Sequence, residues 1–421
     1  MKVTLTPSTP FGKIKAIASK SSAHRALICA ALADRPTEVV CEEINEDISA
    51  TVRCLNTLGA KITRKESSFI VLPIRVPKKC PVLDCGESGS TLRFMIPVVC
   101  ALGCDASFVM SGRLPERPLS PLREELEAHG IKFSEVGSNP LTVSGMISAG
   151  EYRIRGDVSS QFISGLLLAL SVCEGESRLI IEGKTESLPY INMTIDCLYE
   201  FDAEPEQVDD GFIIHGKSKL SSPEKLVIEG DWSNAAFALS AGAICPGAKV
   251  SVFNLDPESA QGDRKIIELL VRFGADIRRK GDCFTVRPGE LFGIDIDAAD
   301  IPDLVPILAV IATAAKGRTL IYGASRLKIK ESDRLSSVTD MLTSLGADVI
   351  KTEDGLIING GERLVGGTVS SANDHRIAMS AAIAALTCSE QVTITNAEAT
   401  AKSYPAFWND LASLNVTVDT E

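Results

Sequence analysis

Leu345-Gly346-Ala347-Asp348-Val349 repeats Phe273-Gly274-Ala275-Asp276-Ile277 at a distance of 72 residues. Both stretches read as the end of a helix, a glycine stop and the first residues of a strand. The pattern continues outward in Leu58-Gly59-Ala60-Lys61-Ile62, His129-Gly130-Ile131-Lys132-Phe133, Phe201-Asp202-Ala203 and Leu414-Asn415-Val416. The stops at 59, 130, 202, 274, 346 and 415 are separated by 71, 72, 72, 72 and 69 residues, so the chain carries six copies of one unit. A fixed period of this kind governs the architecture before any single residue is weighed.

Each copy has the same anatomy: an extended segment, an apolar helix rich in small residues, a second strand, an amphipathic helix, the stop and a hairpin. The hairpin is clearest from Asp276 to Val286, where strand alternation flanks Gly281-Asp282. Strands alternating with helices place the fold in the mixed α/β (α+β) class. A chain of 421 residues is too long for one ordinary core, and six copies suit two domains of three. The midpoint falls near Glu229. The first three copies and the last three are expected to form one lobe each.

The bulk numbers exclude several classes of function. A net charge of -12 argues against a general nucleic-acid binder, though a local cationic site can still sit in an acidic protein. No run approaches the roughly 18 apolar residues needed to span a bilayer. Met1–Lys15 has no continuous apolar stretch and contains Pro7 and Pro10, so no secretory leader is expected. The 12 cysteines are scattered without a CxxC pair, which reads as reduced core cysteine in a cytoplasmic protein. Only 4 histidines are present, which disfavours a multi-histidine metal site.

The first helix of each copy opens on polar residues. The openings are Ser19-Lys20-Ser21-Ser22, Gly86-Glu87-Ser88-Gly89-Ser90, Asp157–Gln161, Asp231-Trp232-Ser233-Asn234, Asp300-Ile301-Pro302-Asp303 and Asn373-Asp374-His375-Arg376. Ser, Asp and Asn there serve as ordinary N-caps. Helix N-termini in repeated positions also offer exposed N–H groups and positive dipole ends to anions. Lys20, Arg25, His375 and Arg376 are cations where the helix dipole disfavours them, a conflict that an anionic ligand would resolve.

Further cations stand out. Lys330-Glu331-Ser332-Asp333-Arg334 is expected to begin an amphipathic helix, with Lys330 and Arg334 on one face. Alone it reads equally as a solvated face. Arg113-Leu114-Pro115-Glu116-Arg117-Pro118 is too proline-rich for a regular helix and can clamp a carboxylate or phosphate. Lys402 precedes the last helix and by itself would be an ordinary surface lysine. Gly211-Phe212-Ile213-Ile214-His215-Gly216-Lys217-Ser218 matches the P-loop pattern literally. It is rejected, because its middle is an apolar strand and Lys219-Leu220-Ser221-Ser222-Pro223 after it does not read as a helix.

The sixfold unit, Ser19-Lys20-Ser21 with Arg25, Asp157–Gln161, Lys330–Arg334 and Asn373–Arg376 together resemble the EPSP (5-enolpyruvylshikimate-3-phosphate) synthase family of enolpyruvyl transferases. The resemblance runs in order along essentially the whole chain. It implies two globular domains of three βαβαββ units each, of the inside-out α/β barrel type, as lobes 19–229 and 1–18 plus 230–421 with the active site in the cleft between them. It implies a cytoplasmic monomer without metal or organic cofactor, which condenses shikimate-3-phosphate with phosphoenolpyruvate and releases phosphate.

Carried over, shikimate-3-phosphate would meet Lys20, Ser21, Arg25, Ser159, Ser160, Gln161, Ser187, Tyr190, Asp303 and Lys330. Phosphoenolpyruvate would meet Lys20, Gly89, Arg117, Gln161, Arg334, Arg376 and Lys402. Asp303 would be the base for the substrate hydroxyl. Glu331, with Lys20 or Lys402, would carry the proton to the enolpyruvyl carbon. The family commonly has Asn at Glu87 and Thr at Ser90, and often Asn at Arg326. Some members have Pro at Phe94. Glu87 thus puts a carboxylate near an anion pocket.

Two other kinds of protein share parts of this pattern. UDP-N-acetylglucosamine enolpyruvyl transferases share the fold, but they usually carry a catalytic cysteine in the loop equivalent to Phe108–Pro118, and this chain has none there. A non-catalytic anion-binding protein of the same fold would not need the acid, base and arginine positions filled, as they are here.

Overall fold

The structure is a computed structural model and describes residues 1–421. It divides into an N-terminal lobe, Ala18–Ile228, and a C-terminal lobe, Met1–Ile17 with Glu229–Glu421. The N-terminal lobe contains helices α1 (Lys20–Ala31), α2 (Glu46–Leu58), α3 (Gly89–Ala101), α4 (Leu122–Ala128), α5 (Ser160–Leu170) and α6 (Leu188–Glu200). The C-terminal lobe contains α7 (Trp232–Ile244), α8 (Ile266–Phe273), α9 (Val305–Ala314), α10 (Arg334–Ser344), α11 (His375–Ala385) and α12 (Phe407–Ser413).

Six four-stranded sheets accompany them, three in each lobe. Every sheet has the same plan. In one, Asp295–Asp297 pairs parallel with Gly317–Tyr322, which pairs antiparallel with Leu356–Gly360, which pairs antiparallel with Asp348–Lys351. The parallel step needs a crossover, and in four of the six sheets the apolar helix of the repeat supplies it. Lys225–Val227 completes the first sheet of the N-terminal lobe by pairing parallel with Thr37–Val40. Phe11–Lys15 and Lys2–Leu5 complete two sheets of the C-terminal lobe.

All six stops adopt the left-handed backbone that ends a helix and reverses the chain. Gly59, Gly130, Gly274 and Gly346 have φ of 128°, 85°, 117° and 90°. Asp202 and Asn415, where the glycine is replaced, still have φ of 56° and 63°. Asp and Asn tolerate this region because their short polar side chains bond locally. The amphipathic helices follow from spacing. On α8 the buried residues are Ile266, Leu269, Leu270 and Phe273, one stripe at i, i+3, i+4 and i+7.

Beyond their polar openings the odd-numbered helices are buried on every face, and they are the inner layer. Every residue of α7 and α11 is buried, and α9 is buried from Val305 to Thr313. A helix with no polar face has to be covered on all sides. Each fully buried Leu or Ile there contributes about 1.5–3 kcal/mol. A charge at Leu308, which is 0% exposed, would break the centre of its lobe. Each lobe has its own core. No helix is long and apolar enough to cross a membrane.

Two expected helix starts are displaced. α10 begins only at Arg334, because the Asp333 carboxylate caps it by accepting from Ser336 N at 3.2 Å. Lys330 is therefore extended backbone after a short 3-10 turn, Ser325–Ile329, and the helical phase argued for Lys330 and Arg334 does not apply. α9 begins at Val305, after a 3-10 turn over Pro302–Leu304. The rejected P-loop match is an interior strand, Gly211–Gly216, paired on both sides.

Candidate active site

In the N-terminal lobe the helix openings carry the basic groups. Ser19 caps α1 by accepting from Ser22 N at 3.3 Å, which leaves Lys20 and Ser21 in the first turn. Lys20 Nζ lies 2.8 Å from Asp47 Oδ2. One turn on, Arg25 is 3% exposed. Its Nε donates to Thr194 Oγ1 at 2.7 Å, Nη2 to the Tyr190 carbonyl at 2.8 Å, and Nη1 to the Ser21 carbonyl at 2.7 Å. Burial pushes Arg25 down to about 10, which still leaves it charged at neutral pH. Ser187, buried at the start of α6, holds a left-handed conformation with φ 56°, and Tyr190 N donates to its carbonyl at 3.0 Å. Ser187, Tyr190 and Arg25 are thereby gathered at one end of α1 and α6.

A second group forms at α3 and α5. Ser159 caps α5, placing Ser160 and Gln161 in its first turn. Gln161 Nε2 donates to Ser90 Oγ at 2.8 Å, and its Oε1 accepts from Arg93 Nη1 at 3.2 Å. A Cβ on Gly89 would lie 2.6 Å from Arg93 Nη1 and 2.7 Å from Arg117 Nη1. Glycine there lets two guanidinium groups approach the backbone, and a side chain would push both away. Arg117 follows the short 3-10 turn Leu114–Glu116, as the prolines required. Glu87 is half-buried and packs on the next loop, since a Cβ on Gly112 would meet its carboxyl carbon at 2.5 Å.

The C-terminal lobe holds a denser cluster. Asp303 Oδ1 accepts from Arg334 Nη1 at 2.8 Å and has Lys330 Nζ at 3.8 Å, while its Oδ2 accepts from Arg376 Nη2 at 3.2 Å. Burial pushes the Asp303 carboxyl up, but Arg376, Lys330 and Arg334 more than offset this and hold it well below its usual range. Burial conversely pushes the Lys330 ammonium down to about 8. Arg334, 1% exposed, also donates from Nη2 to Glu331 Oε2 and from Nε to Asp374 Oδ2, both at 2.8 Å. Asp374 is 0% exposed and caps α11, accepting from Arg376 N at 2.9 Å. Lys402 is 6% exposed and donates to the Asn373 carbonyl at 2.7 Å, so it is not the surface lysine its local sequence suggested.

The two lobes thus divide the expected site residues. Lys20, Ser21, Arg25, Gly89, Arg117, Ser159, Ser160, Gln161, Ser187 and Tyr190 belong to the N-terminal lobe, and Asp303, Lys330, Glu331, Arg334, Arg376 and Lys402 to the C-terminal lobe. Three participants escaped the sequence reading. Arg93 bridges Gly89, Gln161 and the Pro118 carbonyl, the last at 3.3 Å. It had a signal, being a cation four residues into an apolar helix, as Arg25 is five residues past Lys20. Asp47 and Asp374 look like common helix-start acids, and only tertiary placement sets them against Lys20 and Arg334.

Comparisons with known proteins agree in direction. The family model described as EPSP synthase (3-phosphoshikimate 1-carboxyvinyltransferase) matches residues 6–411. A 3-phosphoshikimate 1-carboxyvinyltransferase of Clostridium kluyveri is 42% identical over 423 residues, covering 99% of this chain and 98% of that one. The protein of that name from Clostridium perfringens strain SM101 is 41% identical over 419 residues, covering 98% of each. Among solved structures, EPSP synthase from Acinetobacter baumannii superposes with a TM-score of 0.81 at 27% identity, covering 100% of both chains. The enolpyruvyl transferase NikO from Streptomyces tendae has a TM-score of 0.80 at 16% identity, covering 99% of this chain and 98% of that one, which speaks to the fold alone.

Proposed function

The chain belongs to the EPSP synthase family and has its 3-phosphoshikimate 1-carboxyvinyltransferase activity, and from that premise we propose how its own residues divide the work. The reaction moves the enolpyruvyl group of phosphoenolpyruvate to the 5-hydroxyl of shikimate-3-phosphate and releases phosphate, in the shikimate pathway to aromatic amino acids. Shikimate-3-phosphate is held by Lys20, Ser21, Arg25, Ser159, Ser160, Gln161, Ser187, Tyr190, Asp303 and Lys330. Phosphoenolpyruvate is held by Lys20, Gly89, Arg117, Gln161, Arg334, Arg376 and Lys402.

The observation that carries this reading is the Asp303 carboxylate, shared by Arg334, Arg376 and Lys330. A carboxylate beside three cations is ionised but weakly basic. An arriving phosphoenolpyruvate anion competes for Arg334 and Arg376. As they turn to it, the hold on Asp303 loosens and its basicity rises when a base is needed.

Asp303 then takes the proton of the 5-hydroxyl as its oxygen bonds to the central carbon of phosphoenolpyruvate. Glu331, resupplied by Lys20 or Lys402, gives a proton to the methylene carbon. This yields a tetrahedral ketal. Loss of phosphate, with return of a proton from the methyl carbon, restores the enol ether. The arginines contribute positioning and charge stabilisation.

The protein acts in the cytoplasm, a reading supported by twelve free cysteines, nine of them buried, and as a monomer, a reading that rests on the family alone. Phosphate release from phosphoenolpyruvate should depend on shikimate-3-phosphate and not on UDP-N-acetylglucosamine. Release with the UDP-sugar, or with neither acceptor, would overturn the assignment.

A further inference from the structure

We propose that Asp263 is a positioning residue for Arg376, acting through Ser233 at the start of α7. Asp263 is 1% exposed and lies in the 3-10 turn Gly262–Lys265. Its carboxylate accepts a hydrogen bond from Ser233 Oγ. The Ser233 carbonyl accepts from Arg376 Nη1 at 3.2 Å, and Arg376 Nη2 reaches Asp303 Oδ2 at 3.2 Å. One chain of contacts therefore runs from Asp263 through Ser233 and Arg376 to Asp303.

The turn is fixed to the helix it serves. Gln261 Oε1 accepts from Trp232 N at 3.0 Å, and Gln261 Nε2 donates to the Gly230 carbonyl at 2.8 Å. Asp231 caps α7 by accepting from Asn234 N at 2.7 Å. The Asp263 turn and the start of α7 are thus held as one unit, within which the Asp263 carboxylate fixes the Ser233 side chain and the Ser233 carbonyl meets Arg376.

Asp263 also sets how the Arg376 charge is shared. The charged groups facing it are Arg376 on α11, Asp303 ahead of α9 and Asp231 at α7, with Arg264 and Lys265 on its own turn. Burial and the Asp303 charge push its carboxyl up to about 7, against the pull of Arg376 and the Ser233 hydroxyl. Neutral Asp263 leaves the Arg376 charge to Asp303 and an incoming anion. Ionised Asp263 claims part of it, so the hold on phosphoenolpyruvate weakens as pH rises.

The inference rests on the assignment of Arg376 to phosphoenolpyruvate, and the test separates the two. KM for phosphoenolpyruvate and kcat are measured from pH 6 to 9 for the unmodified enzyme, Asp263→Asn, Ser233→Ala and Arg376→Lys. Phosphoenolpyruvate titrates in the same range, so the readout is the ratio of KM values between proteins at each pH, where that titration cancels. The ratio of unmodified enzyme to Asp263→Asn should rise about threefold to tenfold across pH 7, as expected for one charge several ångströms from an anion site. In Ser233→Ala the carboxyl loses a hydrogen bond that favours its charged form, so its step should move to higher pH. A flat ratio with Asp263→Asn overturns the proposal. If that variant does not fold, an unshifted step in Ser233→Ala overturns it. An Arg376→Lys enzyme with unchanged KM would overturn the binding assignment itself, whereas a raised KM there with flat ratios sinks only the role of Asp263.

Discussion

The most deeply buried site arginines of the two lobes, Arg25 and Arg334, are compensated in opposite ways, although Lys20 in the N-terminal lobe does pair with Asp47. Arg25 in the N-terminal lobe is buried, yet its hydrogen bonds go to Thr194, Ser164 and two carbonyls, none of which carries charge. Arg334 in the C-terminal lobe is as deeply buried, and it is ringed by Asp303, Glu331 and Asp374. An uncompensated buried cation is costly and is relieved by an anionic ligand. A compensated one is part of the folded framework, and its carboxylates can hold and pass protons. On the proposed roles, Arg25 serves binding alone, whereas Arg334 sits among the carboxylates assigned to proton transfer.

The sharpest way to break this contrast is to replace each arginine by methionine. Arg334→Met leaves Asp374 buried without its partner and should cost about 3–5 kcal/mol of stability in chemical denaturation. Arg25→Met leaves no carboxylate behind, and Thr194 Oγ1 retains Ser164 Oγ at 2.8 Å. That variant should match or exceed the parent in stability while losing shikimate-3-phosphate affinity. Equal destabilisation of both proteins would erase the distinction.

Next in size is Asp303→Ala. Turnover should fall at least about 100-fold, the range for loss of a general base, while shikimate-3-phosphate binding stays within about tenfold. Near-normal turnover would reject Asp303 as the base. A smaller effect is expected at Gly89. The added methyl group of Gly89→Ala would displace Arg93 and Arg117, raising KM for phosphoenolpyruvate about tenfold, or about 1.4 kcal/mol. Shikimate-3-phosphate binding should fall less, since Arg25 and Thr194 lie in the other group of that lobe and only Gln161, bonded to Arg93 at 3.2 Å, links the two sites.

Much of the fold was legible because it is written six times. A period of about 72 residues averages out local ambiguity, and even Asp202 and Asn415 keep the left-handed stop that glycine provides elsewhere. The cations at Lys20, Arg25 and Arg376 were legible because they contradict the helix dipole. The start of α10 was not. Charge spacing suggested a helix from Lys330, whereas Asp333 caps it and delays it to Arg334. Lys330 still faces Asp303, but through an extended segment rather than a shared helix face. Partnerships such as Arg334 with Asp374, 40 residues apart, depend on packing that a linear pattern does not encode.

The smallest expected effect tests the contrast from the other side, by asking whether a lysine in a literal phosphate-loop pattern will do as well as Lys20. Lys217 has the more familiar motif of the two, Gly211–Ser218, yet its ammonium donates to the Asp202 carbonyl at 2.8 Å and its side chain is 53% exposed. It belongs to a hairpin, with no helix N-terminus beside it to reinforce an anion. Lys217→Ala should change stability by no more than about 0.5 kcal/mol and leave both KM values within about twofold. Lys20→Ala should raise both KM values. Comparable losses from the two variants would mean that net positive charge, and not its placement in the first turn of a buried helix, governs binding by the N-terminal lobe.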